Sequence, residues 1–392
     1  MFVYVRKMYP FLIAAVIIAG LILFSRNFNT PFQQFSLQSQ SFLQGRLDIP
    51  PQSIDTVLVN GKHYWPQGPF PSLVIMPFQF ILGSSINQSH IQLLLLAVLA
   101  LLLFKLAKLK HYHAIDSLYF VIAFFFGSTA IGLATDPRSW YFAQMVALVV
   151  LTALILELNT KKRPLVMGLL GGFLIATRLT SGMITVFIFY TLLENKSKSY
   201  KQKILKISLF TLPIVISIVA LMVFNQIRFN NPFDTGYGIN RINPVQEPLR
   251  RESIFSLSHF YDNFFHYFLR MPELVIDKQE ELIFPYLTYN PWGLSFFLVS
   301  PFFLYSLKTL KNKSFKIRGL WLVVLLILVI LLFYYAPGWT QYGPRYTADF
   351  LPILYFLTLE SLSKYGLDDK KRGLIIASSL FNLYLLYFPF HS

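Results

Sequence analysis

Hydrophobic stretches recur along the whole chain, and the polar segments between them alternate in charge. One set of segments is rich in Lys and Arg and carries nearly all of the net charge of +16. The other set is near neutral and rich in Pro, Tyr, Asn and Trp. Since cytoplasmic loops of membrane proteins carry an excess of Lys and Arg, the pattern predicts a polytopic membrane protein with a cytoplasmic N-terminus. The Lys-rich segments are 6–7, 105–110, 161–163, 196–206, 308–318 and 364–372.

The composition supports this interpretation. A hydrophobic content of 55% and a mean hydropathy of +0.54 exceed those of a soluble domain. The pI of 9.7 does not indicate nucleic-acid binding, because the basic residues lie in short segments between apolar stretches. Anionic lipid is the partner expected for such segments. The lack of Cys excludes disulfides and thiolate metal sites. We therefore expect the plasma membrane as the location and no nucleic-acid partner.

The apolar stretches predict an all-α fold of about eleven transmembrane helices, since one crossing takes about 20 residues. The stretch 164–194 lies between two Lys-rich segments, so we expect it to cross twice, as a hairpin with Arg178 at its outer tip. We expect residues 1–24 to form an uncleaved first helix and the C-terminus to lie outside. Besides the two spans of the hairpin, nine spans are predicted, and the first of them belongs to the first helix. They are 9–25, 89–107, 114–134, 139–158, 207–226, 291–307, 319–336, 346–363 and 373–390.

Two long loops are expected on the outer side, at 26–88 and 227–290, within a single domain covering 1–392. Each contains an amphipathic helical pattern, from Phe28 to Phe42 and from Ile254 to Phe268. Such helices lie flat in the lipid headgroup layer, with their polar residues turned to water. The stretch 70–82 is too short to span and is predicted to lie at or dip into the outer interface.

Charged residues gather at the outer ends of the predicted spans. A charge at the membrane boundary needs a partner and often marks a site, although each one taken alone fits an interfacial side chain or an ion pair. Together they suit the transfer of a sugar from a lipid phosphate, because Arg neutralises the phosphate and a carboxylate accepts the proton of the incoming hydroxyl. The residues are Asp48, Asp55, Asp136, Arg138, Arg178, Arg345 and Asp349.

Several motifs resemble the bacterial integral membrane glycosyltransferases of the GT-C superfamily, of the protein-mannosyltransferase and aminoarabinose-transferase type (glycosyltransferase family 39-like). Residues 41–49 read Ser-Phe-Leu-Gln-Gly-Arg-Leu-Asp-Ile, 60–64 read Asn-Gly-Lys-His-Tyr, and 68–77 read Gly-Pro-Phe-Pro-Ser-Leu-Val-Ile-Met-Pro. Shorter matches are Phe-Gly-Ser at 126–128, Ala-Thr-Arg-Leu at 176–179, Asn-Pro-Phe at 231–233 and Gly-Pro-Arg-Tyr at 343–346. The resemblance covers about residues 10–360.

The resemblance implies a polyprenyl-phosphate sugar donor, an acceptor on the outer face that is a glycan, lipid or protein, and inversion at the anomeric carbon. It also implies an acid just after the first helix, yet residues 25–35 contain none. The candidate catalytic acids are therefore Asp55, Asp48 and Asp136. We favour Asp55 as the general base, because Arg46 is placed to pair with Asp48. The candidate donor-binding residues are Arg345, Arg138, Arg178, Lys62, His63 and Tyr64.

No cofactor is predicted. The sequence has no Asp-x-Asp pair, which argues against a tight divalent site, and the question of a divalent metal stays open. Two other functions remain as alternatives. A transporter or flippase of lipid-linked saccharides would be expected to show repeated halves, and we find no repeat. A polysaccharide polymerase or ligase would use a large late loop such as 227–290, and a non-catalytic membrane scaffold is the last alternative.

Overall fold

The computed structural model describes residues 2–52, 54–194, 199–239, 242, 244–363 and 366–388. Some predictions about the side of the membrane concern residues outside this described part, namely Met1, Lys196, Lys198, Lys364 and the C-terminus. The α-helices are α1 (Phe2–Asn27), α2 (Gln34–Leu43), α3 (Phe70–Leu82), α4 (Gln88–Leu109), α5 (Ala114–Phe125), α6 (Ala130–Thr135), α7 (Ser139–Asn159), α8 (Pro164–Thr177), α9 (Ile184–Leu193), α10 (Tyr200–Phe229), α11 (Glu247–Glu252), α12 (Phe260–Phe264), α13 (Phe296–Val299), α14 (Phe315–Phe333), α15 (Leu351–Leu362) and α16 (Asp369–Tyr387).

The strands form two small antiparallel hairpins, β1 (Val57–Val59) with β2 (Lys62–Tyr64) and β3 (Glu273–Ile276) with β4 (Leu282–Thr288). Short 3₁₀ segments lie at Ser181–Met183, Leu257–His259, Pro301–Lys311 and Arg345–Asp349, and a π-helical turn lies at Phe265–Leu269. The all-α class is thus confirmed.

Five helices are long and apolar enough to cross a membrane in the described part of the chain: α1 from Pro10 onward, α4, α7, α10 and α14. Shorter apolar helices are α3, α5, α8, the segment 181–193 and α15. Helix α7 is mostly buried within the protein and is the central helix of the bundle. Helix α10 is mostly exposed and apolar, so most of its surface faces lipid. The chain is a polytopic membrane protein.

The hairpin at 164–194 is present, as α8 and α9 separated by a break after Thr177. Helix α8 packs closely on α10 through glycines. A Cβ atom on Gly168 would lie 2.2 Å from the carbonyl oxygen of Phe210, and one on Gly172 would lie 2.4 Å from Oγ of Ser217. Small residues at such contacts let transmembrane helices approach closely. The side of the membrane on which the break lies stays a prediction.

Three predicted spans differ in detail from the structure. The span 114–134 is interrupted at 126–129, between α5 and α6. The interruption is tolerated because side chains bond its backbone: Ser300 Oγ accepts from the Thr129 N–H at 3.0 Å, and Asn382 Nδ2 donates to the Phe126 carbonyl at 2.8 Å. The span 291–307 contains the short α13 and a 3₁₀ segment, and 346–363 begins as a 3₁₀ turn before α15.

The polar residues of the loop helices are turned into the protein, which corrects the prediction that they face water. Gln34, Phe35 and Gln38 of α2 are fully buried. Ser72 of α3 donates to Gln38 Oε1 at 2.7 Å and to the Phe35 carbonyl at 3.0 Å. These bonds dock α2 on α3, because polar groups in a membrane protein find their partners inside the bundle.

The second loop shows the same arrangement. The pattern at 254–268 forms three short helical segments rather than one helix. Leu257 and Tyr261 are exposed, whereas Asn263 is buried. Asn263 Nδ2 donates to the carbonyls of Leu332 at 2.9 Å and Tyr334 at 2.7 Å, so it satisfies carbonyls that the end of α14 leaves free.

Candidate functional site

A cavity of about 170 Å³ lies where the first long loop meets the bundle. Three of the predicted site residues line it: Asp55, Arg178 and Arg345. They come from the first loop, from the end of α8 and from the 345–349 turn. The expected meeting of charges from several connections is therefore present for these three residues.

The hairpin that follows Asp55 fixes its position. Asn60 and Gly61 both have positive φ, at 51° and 75°, which is the geometry of the two-residue turn that joins β1 and β2. Val57 of β1 is fully buried and anchors the hairpin. Asp55 itself has φ 54°, a left-handed conformation that Asp adopts more readily than most residues.

The carboxyl group of Asp55 is largely enclosed, with Trp140 and Arg345 beside it. Burial raises the pKa of Asp55 from 3.8 to about 6, while Arg345, a hydrogen bond with Trp140 and Arg250 oppose the rise. Desolvation therefore outweighs the positive charges. A carboxylate with a pKa near 6 is ionised at neutral pH and is a stronger base than an ordinary Asp, which suits proton abstraction.

Arg345 forms no ion pair within 4 Å among the described residues, and Asp55 is the acid of this cavity that its charge affects. Its guanidinium lies against the rings of Tyr141 and Tyr346, 5.3 and 5.2 Å from their centroids. Its Nε is buried and has no hydrogen-bond acceptor in the described structure. The indole N–H of Trp65 is also buried and without a partner, and Trp65 lines the same cavity. These donors are available to an anionic ligand.

Arg178 lines the cavity too, but a buried acid neutralises it. Its Nε and Nη2 donate to the two carboxylate oxygens of Asp349 at 2.6 and 2.9 Å. Thr180 and Ser181 also donate to Asp349, which is fully buried. This pair joins the break after α8 to the 345–349 turn, and it thereby positions Arg345, the first residue of that turn.

The other predicted site residues lie outside the central cavity. Arg138 Nε donates to Asp136 Oδ2 at 2.7 Å, and both residues line a separate cavity of about 650 Å³. Arg138 lies over the ring of Tyr141 at 5.2 Å, so Tyr141 stands between this ion pair and Arg345. Asp48 pairs with Arg46 at 2.9 Å.

Residues Lys62, His63 and Tyr64 form β2 and do not line the cavity. His63 accepts the Ile49 N–H through its carbonyl at 2.8 Å, and the Tyr64 ring contacts Phe229. Their contribution is to place the next residue, Trp65, whose carbonyl accepts from Arg228 Nη1 at 2.7 Å.

Aromatic residues of the lining were not predicted from the sequence. Trp65, Trp140, Tyr237, Tyr335 and Tyr346 all line the cavity. Three of them lie near predicted positions, since Trp65 follows Tyr64, Tyr346 follows Arg345 and Trp140 lies two residues after Arg138. Proximity to a predicted position was the signal that could have found these three residues.

The described residues contain no group of three His, Asp or Glu placed to hold a metal ion. In the central cavity Asp55 is accompanied by no second carboxylate and no imidazole among the lining residues. Divalent cations are usually bound by several oxygen ligands, of which carboxylates are the strongest. Asp55 is the one carboxylate among the described residues that line this cavity.

No family model and no curated protein matches this chain. Solved structures do match. ArnT from Cupriavidus metallidurans, solved bound to undecaprenyl phosphate, aligns with a TM-score of 0.54 at 11% identity, over 93% of this chain and 61% of that chain. The oligosaccharyltransferase of Archaeoglobus fulgidus in its apo form aligns with a TM-score of 0.46 at 14% identity, over 96% of this chain and 55% of that chain.

The chain spans about three fifths of the ArnT chain, and at this identity the likeness concerns the fold. It extends over nearly all of the chain. The chain therefore has the fold seen in ArnT.

Proposed function

We propose that this protein is a membrane glycosyltransferase that moves a sugar from a polyprenyl-phosphate donor to a hydroxyl acceptor on the outer face of the membrane. The observation that carries the proposal is the presence of a base and of a guanidinium without a close ion pair in one cavity. Asp55 has a pKa of about 6, and Nε of Arg345 has no hydrogen-bond acceptor in the described structure. The ArnT structure supports the proposal, since that protein was solved with undecaprenyl phosphate bound.

The chemistry is a single displacement. Asp55 accepts the proton of the acceptor hydroxyl while the acceptor oxygen forms a bond to the anomeric carbon. The bond from that carbon to the phosphate oxygen breaks on the opposite side, so the configuration inverts and the polyprenyl phosphate leaves. Negative charge grows on the leaving phosphate, where the Arg345 guanidinium and the Trp65 N–H stabilise it.

The donor lipid has an apolar surface to follow. Ile330 and Leu331 of α14 line the same cavity, together with Phe255. Residues of α14 further along the helix, such as Leu322 and Leu326, are exposed. A polyprenyl chain can thus lie against α14 while its phosphate reaches Arg345.

Binding of labelled undecaprenyl phosphate to the purified protein in nanodiscs tests the phosphate site without knowledge of the sugar. We expect Arg345→Gln to weaken binding at least about tenfold, since hydrogen bonds to a charged group contribute about 1.5–3 kcal/mol. Arg46→Gln is the matched control and should bind as the wild type does, because Arg46 pairs with Asp48 away from the cavity. Equal binding by all three proteins would contradict the phosphate site.

A panel of polyprenyl-phosphate sugars, each labelled in the sugar, then tests transfer. We expect cleavage of at least one donor that depends on Asp55 and Arg345. Movement of an intact donor across vesicles, with no cleavage of any donor, would instead favour the flippase alternative. Extension of a glycan from a diphosphate-linked donor would favour the polymerase or ligase alternative.

A further inference from the structure

A second cavity, of about 340 Å³, lies next to the central one on the side of the second long loop. Tyr335 lines both cavities, so it marks the place where they adjoin. The second cavity is bounded by the 257–270 segment and by residues around Trp292. A ligand in it would therefore approach Asp55 from the direction of Tyr335, and not along the α14 surface where Ile330 and Leu331 lie.

One wall of the second cavity is aromatic and held rigidly. The His266 ring stacks on Trp292, with 5.2 Å between centroids and 28° between planes, and Trp339 meets Trp292 edge-on at 4.7 Å. The backbone N–H of Trp292 donates to Asn290 Oδ1 at 3.1 Å, and the backbone carbonyl of Trp292 accepts from Gln341 Nε2 at 2.9 Å. The faces of aromatic rings carry negative charge density and attract the C–H bonds of a sugar ring.

The polar groups of this cavity include both donors and an acceptor. Arg270 Nη1 lies 3.2 Å from His266 Nδ1. Because a guanidinium only donates, Nδ1 of His266 accepts, which assigns the ring proton to Nε2. Burial, with Arg270 adding to it, lowers the pKa of His266 to about 4, so the ring is a neutral donor at physiological pH.

Asp262 supplies the acceptor. It lines the same cavity and is exposed, and its carboxylate has no hydrogen bond or ion pair in the described part of the chain. Adjacent hydroxyls of a sugar ring need this combination, since each hydroxyl both donates and accepts. A lone hydroxyl on a lipid or on a protein side chain would contact fewer of these groups than a sugar ring does. A pocket with an aromatic wall and a few placed polar groups is typical of small-molecule sites.

We propose that this second cavity binds a saccharide unit of the acceptor, so that the sugar is transferred to a glycan. The proposal rests on the proposed function. It identifies Trp292, Asp262, His266 and Arg270 as acceptor-binding residues, whereas Asp55 removes the proton of the acceptor hydroxyl and Arg345 binds the donor phosphate.

The test uses the full-length protein in nanodiscs and four probes: the methyl glycosides of glucose, galactose, mannose and N-acetylglucosamine. Saturation-transfer NMR at millimolar concentration detects weak binding of this kind. We expect at least one probe to bind the wild type and to lose about tenfold in affinity in Trp292→Ala and in Asp262→Asn. Trp292→Phe keeps an aromatic face and should retain most of the binding. Glu280→Gln, at an exposed acid in the turn between β3 and β4, is the control and should change nothing.

Thermal melting checks that each variant is folded, and Asp262→Asn keeps the test valid if Trp292→Ala fails to fold. Absence of binding by all four glycosides, or equal binding by wild type and Asp262→Asn, would overturn the acceptor site. Donor cleavage is measured separately and depends on Asp55 and Arg345. If the wild type binds a glycoside but cleaves no donor, the proposed function alone is contradicted. If the wild type cleaves a donor but binds no glycoside, the acceptor site alone is contradicted.

Discussion

Replacement of Asp55 by Asn should lower transfer and raise stability together. A positioned general base contributes about 10²–10⁴ in rate, and Asn cannot accept the proton. We therefore expect transfer to fall by that factor while undecaprenyl phosphate still binds through Arg345. The shape of the side chain is nearly unchanged, so the oxygen that faces Trp140 is retained.

The gain in stability follows from the raised pKa. The pKa of Asp55 is about 6 in the folded protein and 3.8 in the reference state, so the folded state binds the proton more tightly. The protonated carboxyl group of Asp55 stabilises the folded state. This stabilisation is fully present below pH 3.8 and is lost as the pH rises through 6. At neutral pH the ionised carboxylate costs at most about 3 kcal/mol, because the cavity leaves it partly accessible. Asp55→Asn removes that cost.

Two measurements check this prediction. The thermal midpoint of Asp55→Asn should exceed that of the wild type at pH 7.5 and approach it at pH 4. The kcat/KM of the wild type should fall about tenfold for each pH unit below the pKa of about 6. Asp48→Asn is the control, and it should change neither the pH profile nor the rate by a comparable factor. A lower midpoint for Asp55→Asn at pH 7.5, or unchanged transfer, would refute the assignment of the base.

Three further predictions concern single substitutions. Arg345→Lys should lose most transfer although the charge is kept, because Lys does not reproduce a bidentate guanidinium–phosphate contact; normal turnover would remove Arg345 from the site. Asp349→Asn should lower stability by about 3 kcal/mol in a denaturation assay, since it leaves Arg178, whose side chain is only 18% exposed, without its buried acid; a loss under 1 kcal/mol would contradict this. Gly168→Ala should destabilise the α8–α10 contact, because its Cβ would lie 2.2 Å from the Phe210 carbonyl, whereas Gly238→Ala, in open space, should not.

The helical class and the hairpin at 164–194 could be predicted because hydropathy and charge act locally along the chain. The interruption at 126–129 could not be predicted, because the groups that stabilise it come from elsewhere. Ser300 and Asn382 bond its backbone, and they lie far away in the sequence. The buried polar residues of α2 were missed for the same reason. An amphipathic pattern shows that a helix has two faces, but it does not show which face meets the protein.

The site was predicted in part. Asp55 was preferred over Asp48 because Arg46 stands two residues before Asp48, and the pair is present. Arg178 could not be distinguished from Arg345 by sequence, since both follow short motifs near a predicted span end. What distinguishes them is a partner 171 residues away: Asp349 neutralises Arg178, whereas Arg345 lies among aromatic rings. Pairing over such a distance is a property of the packed bundle.

The interactions of Asp349 with the break after α8 determine which residues there can be labelled to measure the orientation of the hairpin. Ser181 lies in the break after α8 but is unsuitable for a labelling Cys, because it is buried and donates to Asp349. Leu179 is 72% exposed in the same break, and Lys162 is exposed at the opposite end of α8. Since the chain contains no Cys, Leu179→Cys and Lys162→Cys each introduce a single thiol. An impermeant maleimide added to intact cells should label Leu179→Cys and spare Lys162→Cys, if the Lys-rich segments are cytoplasmic. Lysis should then expose Lys162→Cys to the same reagent. Labelling of Lys162→Cys alone in intact cells would invert the topology and place the Asp55 cavity on the cytoplasmic side.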